Sequence, residues 1–163
     1  LFTANKNSPI VDWLRALCQK IREEHQVAGL GVIGNCLTGN FALGLMADES
    51  VLAAVASQPA MPMGKQGAID LASELVEQAK SRIELSEPAQ AYRFEGDSLV
   101  TDEKFKCIDA AFNGDGQTRV ALNVLPGPGH SVLTLDFVDE ENHPTRAALD
   151  GIFAYFDRQL KTF

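Results

Sequence analysis

A short turn bounded by glycines constrains the fold of this chain more than any other segment. Residues 34–39, with the sequence GNCLTG, directly follow the apolar run Ala28–Ile33 and directly precede the helical pattern Asn40–Met46. Glycine suits such a turn because bulky side chains beside the apex would collide with the crossing strand and helix. The helix behind Cys36 also favours negative charge at its amino end, which makes a thiolate available. The segment therefore predicts a strand, a sharp turn and a helix, with a reactive thiol at the apex.

The other apolar segments alternate between helical and strand patterns along the chain. Alternating strands and helices predict an α/β fold, in which a parallel sheet is flanked by helices on both faces. The 163 residues are enough for a single domain over residues 1–163 with a sizeable core. The helices are predicted at Ser8–His25, Ile69–Arg82, Thr101–Phe112 and Pro144–Leu160, and the strands at Ala28–Gly34, Val51–Ser57, Ala89–Phe94 and Thr118–Leu125.

The first predicted helix has a clear start and one apolar stripe. Ser8 is placed to cap the helix, and Pro9 suits its first turn. The stripe is expected to face the core, with Trp13 as an anchor for the helix rather than a platform for substrate. The members of the stripe are Ile10, Trp13, Leu14, Leu17, Cys18 and Ile21.

Charge and composition exclude several classes of function. The net charge is −8 and no cluster of basic residues occurs, so neither nucleic acid nor an anionic membrane is an expected partner. No apolar run approaches the roughly 20 residues that a membrane span needs. The three cysteines show no C-x-x-C pairing, which argues against a disulfide framework or a zinc site and suits a reducing cytoplasm. No metal or organic cofactor is implied.

Three reactive residues follow three of the predicted strands. Ligand sites in open α/β sheets lie beyond the carboxyl ends of the strands, and Cys36, Asp97 and His130 occur there. Cys36 would attack a carbonyl carbon as a thiolate, while His130 would accept and return a proton. Asp97 would orient His130 and stabilise its protonated form. The backbone N–H of Leu37, directly after Cys36, is the expected first donor to an oxyanion.

The role of the acid leaves alternatives open. Asp102 competes with Asp97, although Asp102 also suits the first turn of a helix. Asp136 is a weaker competitor, because the acidic stretch that it begins is most simply a solvated loop. The residues expected to have structural or solvated positions instead are Cys18, Cys107, His25 and His143.

Together these segments resemble the dienelactone hydrolase family of α/β-hydrolases. The family's G-x-C-x-G-G turn, its G-D turn after a strand and its G-x-x-H loop correspond to residues 34–39, 95–100 and 127–130. A bacterial branch of the family is also similar at residues 57–59 (SQP), 130–134 (HSVLT) and 143–150 (HPTRAALD), so the resemblance covers nearly the whole chain. The resemblance implies hydrolysis of a carboxylic ester or lactone through a thioester, with a Cys-His-Asp triad.

The chain also departs from the family pattern. The family's domain begins with three or four further strands, which supply a Glu that partners the resting cysteine and a second oxyanion amide. The expectation is therefore an α/β-hydrolase fold lacking its upstream strands, truncated on the amino-terminal side, whose sheet an upstream segment or a second chain would complete. Asn35 replaces the hydrophobic residue that is common before the nucleophile. A catalytically silent domain that binds a small molecule or a partner protein is the alternative function.

Overall fold

The computed structural model describes residues 8–61, 67–69 and 71–161, and its elements follow the predicted alternation. Part of the expected loop over 58–67 lies outside the described residues. No helix in the described ranges is long and apolar enough to cross a membrane. The helices are α1 (Pro9–His25), α2 (Gly39–Leu45), α3 (Ser73–Ile83), α4 (Asp102–Phe112) and α5 (Pro144–Leu160), and the strands are β1 (Leu30–Asn35), β2 (Val51–Ser57), β3 (Ala89–Phe94) and β4 (Val120–Leu125).

The four strands form one parallel sheet in the order β1-β2-β3-β4. Their carboxyl ends are in register, since Asn35 pairs with Ser57, Ser57 with Tyr92, and Phe94 with Leu125. Helix α5 packs on one face of the sheet, and α2, α3 and α4 pack on the other, with α1 against α2. The predicted α/β class, a parallel sheet flanked by helices, is confirmed. The loops that follow the strands therefore all leave from one edge of the sheet.

Strand β2 shows why a central strand of this sheet is apolar along nearly its whole length. Ala54 and Ala56 belong to the core under α2 to α4, while Ala53 and Val55 pack on the opposite face against Tyr155 of α5. All five residues are fully buried. A parallel strand covered on both faces reads as a continuous apolar run rather than an alternating one.

Strand β1 lies at an edge of this sheet. Among the described residues it pairs with β2 alone. The apolar run Ala28–Ile33 is typical of a strand buried on both faces, but Ile33 is 43% exposed and Gly31 is exposed as well. Because an edge strand has one neighbour only, part of its apolar surface and its outer backbone groups stay uncovered.

Helix α1 begins as expected but packs through a narrower line of residues. The Ser8 hydroxyl accepts a hydrogen bond from Ile10 N at 3.3 Å, and Pro9 is the first helical residue. Val11 and Cys18 are buried, whereas Trp13 is 63% exposed. The expectation that Trp13 anchors the helix was wrong, because α1 turns Val11 rather than Trp13 toward the core.

Candidate active site

The turn over residues 34–39 holds Cys36 in a strained backbone conformation. Cys36 has φ +53°, in the left-handed region that residues other than glycine rarely adopt. A Cβ atom on Gly34 would lie 2.2 Å from the carbonyl oxygen of Thr38, so only glycine fits there. The Thr38 hydroxyl closes the turn, because it donates to Asn35 O at 2.8 Å and accepts from Asn35 N at 2.9 Å. The turn thus presents Cys36 between β1 and α2.

Asp97 is held by the turn that follows β3. Its Oδ1 accepts hydrogen bonds from Leu99 N at 2.8 Å and Val100 N at 3.0 Å. Such contacts from an aspartate to the backbone two and three residues later are typical of tight turns. The side chain of Asp97 is 1% exposed. One carboxylate oxygen is therefore fixed by the backbone, and the other is directed to a separate partner.

His130 lies between Asp97 and Cys36. Its Nδ1 is 2.7 Å from Asp97 Oδ2, and its Nε2 is 3.3 Å from Cys36 Sγ. The structure thus brings together the three residues that the sequence singled out, although they follow three different strands. A ring placed between a carboxylate and a thiol can take the thiol proton while the carboxylate stabilises the resulting imidazolium.

Asp136, an alternative acid, contacts the backbone of His130 instead of its ring. Its Oδ2 accepts from Ser131 N at 2.8 Å and from His130 N at 2.9 Å. These two backbone hydrogen bonds lower the pKa of Asp136 below its ordinary value. Asp136 therefore stabilises the loop that carries His130.

Asp102, the other alternative acid, forms an ion pair with Arg93 at the end of β3. Arg93 is 3% exposed and donates to Phe94 O at 2.8 Å and to Glu95 O at 3.2 Å. Arg93 thereby supports the turn that contains Asp97. Sequence reasoning missed Arg93, although a lone basic residue in an apolar strand beside a candidate acid was a usable signal.

The remaining cysteines and histidines have other surroundings. Cys18 is 6% exposed. Burial is the main cause that raises the pKa of its thiol, and the charge of the nearby Asp48 carboxylate raises this pKa further. His143 caps α5, since its Nδ1 accepts from Thr145 N at 3.3 Å. The others are Cys107, half-buried on α4, and His25 in the last turn of α1.

The residues that the structure describes hold no group of three His, Cys, Asp or Glu side chains arranged to bind a metal ion.

Leu37, the expected source of an oxyanion N–H, directly follows Cys36 in the turn and is 39% exposed.

Comparison with known proteins gives matches at the level of structure. No protein-family model matches the sequence, and no curated protein matches it. A Klebsiella pneumoniae protein assigned as a dienelactone hydrolase superposes with a TM-score of 0.63 at 13% identity, over 91% of this chain and 60% of its own. An esterase from Pyrococcus furiosus gives 0.61 at 14% identity, over 92% and 61%. An α/β-hydrolase from a lagoon-sediment metagenome gives 0.53 at 12% identity, over 91% and 70%.

The chain has an α/β-hydrolase fold. It spans about 60% of the length of the first two of these structures. In the α/β-hydrolase fold the reactive residues stand at the carboxyl ends of the strands, in the chain order nucleophile, acid, histidine. Cys36, Asp97 and His130 have that order and that placement.

Proposed function

We propose that this protein hydrolyses a carboxylic ester or lactone through a thioester on Cys36, as the resemblance to dienelactone hydrolases implies. The observation that carries the proposal is the position of the His130 ring, 3.3 Å from Cys36 Sγ on one side and 2.7 Å from Asp97 on the other. The fold supports the same reaction class, because it is shared at 12–14% identity with an esterase, an α/β-hydrolase and a protein assigned as a dienelactone hydrolase. The left-handed backbone of Cys36 also fits a nucleophile held out from a strand-to-helix turn.

The first half of the reaction forms the thioester. His130 Nε2 takes the proton of Cys36, and the thiolate attacks the carbonyl carbon of the substrate. The negative oxygen that develops would be stabilised by the Leu37 N–H, which adjoins the nucleophile. When the carbon–oxygen bond breaks, the leaving alkoxide takes the proton from His130 and departs as an alcohol, or stays attached when the substrate is a lactone.

The second half of the reaction releases the acid. His130 removes a proton from a water molecule, which attacks the thioester carbonyl. The carbon–sulfur bond breaks, the proton returns to Cys36, and a carboxylic acid is released. Asp97 keeps the His130 ring oriented and balances its positive charge in both halves. The cycle consumes one water and needs neither a redox partner nor a cofactor.

The substrate of this site is a small ester or lactone. A reducing cytoplasmic environment would keep the Cys36 thiol in its reactive, unoxidised form. Among the described residues the outer edge of β1, where Ile33 is 43% exposed, pairs with no strand, and a further polypeptide segment or a second chain would extend the sheet there.

The decisive experiment compares Cys36→Ala with the wild-type protein on a generic aryl ester. We expect the substitution to remove hydrolysis by orders of magnitude, since nucleophile loss has that effect. The fold should persist, because the lost side chain is small and the strain lies in the backbone. A thioester mass on Cys36 in the wild-type protein, discharged by hydroxylamine, would identify the intermediate.

Cys107→Ala is the matched control, because Cys107 is a half-buried thiol on α4 and the thiol in contact with His130 is that of Cys36. Rapid alkylation of Cys36 near neutral pH, absent from the other two thiols, is also expected. Wild-type turnover in Cys36→Ala would refute the assignment. Slow alkylation together with no hydrolysis would favour a catalytically silent domain that binds a small molecule or a protein.

A further inference from the structure

Gln58 is the first residue after β2 and has an unusual environment for a polar side chain. It is 1% exposed, and its backbone has φ +39°, in the left-handed region. Its N–H donates to Tyr92 O at 2.7 Å, which ties the ends of β2 and β3 together. A buried polar residue held in a strained backbone conformation beside an active site is a candidate for a functional role.

The side chain of Gln58 contacts the loop that carries His130. Its Oε1 accepts a hydrogen bond from Val132 N at 3.3 Å and another from the Ser57 hydroxyl. Val132 is fully buried, and its N–H also lies 3.2 Å from His130 O. The N–H of Val132, two residues after His130 in the chain, therefore connects Gln58 to His130.

The order of the strands explains why such a contact is needed. His130 follows β4, whereas Cys36 follows β1, and two strands separate them. With strands about 4.8 Å apart, the ends of β1 and β4 are roughly 14 Å from each other. The loop after β4 has to return across the ends of β3 and β2 before Nε2 can reach Sγ. Asp97 contacts that loop from the end of β3, and Gln58 contacts it from the end of β2.

The residues that follow Gln58 contact the other reactive partner. Ala60 N donates to Cys36 O at 3.1 Å, and Asn40 Nδ2 donates to Ala60 O at 2.9 Å. A Cβ on Gly39 would lie 2.9 Å from Pro59 Cα, so this segment is packed directly on the turn. Residues 58–60 thus touch both the loop of His130 and the carbonyl of Cys36.

We propose that Gln58 is a positioning residue that sets the placement of the His130 ring relative to Cys36. The inference rests on the proposed function, because it assigns a role in the same Cys36–His130 pair. The required chemistry is an acceptor oxygen on a side chain of this length, which receives the Val132 N–H. Loss of that acceptor would leave the fold in place and move the ring away from the thiol.

Three variants of the complete protein test the role. Gln58→Met keeps the length but lacks the acceptor, and Gln58→Asn keeps an amide, shortened by one methylene. Asn also tolerates left-handed backbone, so that variant should fold well. Gln58→Glu keeps both the length and an acceptor oxygen. The matched control is Gln90→Met, the same substitution at a residue near the opposite end of β3, where it loses the Tyr92 hydroxyl as partner.

The readouts are hydrolysis of an aryl ester and alkylation of Cys36 by iodoacetamide as a function of pH. Near neutral pH, Met and Asn at position 58 should slow both reactions about 10- to 100-fold, as expected for a misplacement approaching 1 Å. At about pH 10, where free thiols in general are ionised, alkylation no longer needs a base, so all variants should be alkylated at the wild-type rate. Gln58→Glu should react considerably faster than the Met and Asn variants in both assays. Gln90→Met should match the wild type at every pH.

The outcomes separate the two proposals. A reactive wild-type protein whose Gln58→Asn and Gln58→Met variants react at the wild-type rate near neutral pH would overturn the role of Gln58 alone. Equal slowing at neutral and high pH would overturn it too, because it would indicate a general disturbance of Cys36. A wild-type protein that neither hydrolyses the ester nor alkylates rapidly would overturn the proposed function, and this inference with it.

Discussion

Replacing Gly34 by Ala should disrupt the turn that presents Cys36. A Cβ at this position would lie 2.2 Å from the Thr38 carbonyl oxygen, 2.6 Å from the Thr38 carbonyl carbon and 2.8 Å from Gly39 Cα. All three are backbone atoms, which cannot rotate aside as the end of a side chain can. The strand must therefore move away from the turn, or the turn away from the strand.

The size of the effect follows from the distances. Contacts of a real Cβ are not shorter than 3.0 Å, so the Thr38 oxygen has to retreat by at least 0.8 Å, the difference between 3.0 Å and 2.2 Å. Overpacking of a buried site usually costs 1–3 kcal/mol, and since the contacts here are with backbone we expect about 3 kcal/mol of lost stability. Cys36 would move with the turn, and a displacement of this order lowers a reaction rate about 100-fold.

The assay combines denaturant unfolding with alkylation of Cys36 and ester hydrolysis. Gly151→Ala is the matched control, since Gly151 lies exposed in α5 and a Cβ there would meet only the Tyr92 hydroxyl at 4.0 Å. Ala at this helical position should stabilise the protein by about 0.5–1 kcal/mol and leave the rates unchanged. Wild-type stability together with wild-type alkylation in Gly34→Ala would refute the steric reasoning.

Three further substitutions test the surroundings of His130 and the core. Asp97→Asn keeps an acceptor for the turn but presents an amide to His130, so hydrolysis should fall about 10³- to 10⁴-fold with little loss of stability; an unchanged rate would remove Asp97 from the proposed triad. The Asp136 carboxylate has a lowered pKa in the folded protein, so its contribution to stability is complete above the ordinary value of 3.8 and is lost as pH falls through the lowered folded value. Asp136→Asn should flatten that acid-side loss in pH-dependent unfolding, and an unaltered profile would contradict this. Tyr155→Phe leaves the buried Ala54 N–H without the Tyr155 hydroxyl that accepts from it at 3.3 Å, which should cost about 1–3 kcal/mol in thermal unfolding; no change would show that this contact is dispensable.

The sequence by itself determined the α/β class and most of the element bounds. The apolar run of β2 and the Gly-rich turn around Cys36 are local patterns, because they reflect burial on two faces and steric limits within a few residues. His130 stood out for the same reason, since it is the one histidine on a Gly/Pro loop directly after a strand. Chain order and strand ends then placed Cys36 and His130 at one edge of the sheet.

The tertiary structure decided which groups meet at that edge. The sequence favoured Asp97 over Asp102 and Asp136 only through its position at a strand end. The folded loops decide the contact, since the ring of His130 meets Asp97, while Asp102 pairs with Arg93 and Asp136 binds the backbone of His130. The contact of Gln58 with the histidine loop joins residues 74 positions apart. Such contacts depend on how the strands are ordered in the sheet and how far each loop returns across them. The hydrophobic periodicity of a sequence reflects the arrangement of residues that are near one another along the chain. It therefore cannot predict these long-range contacts.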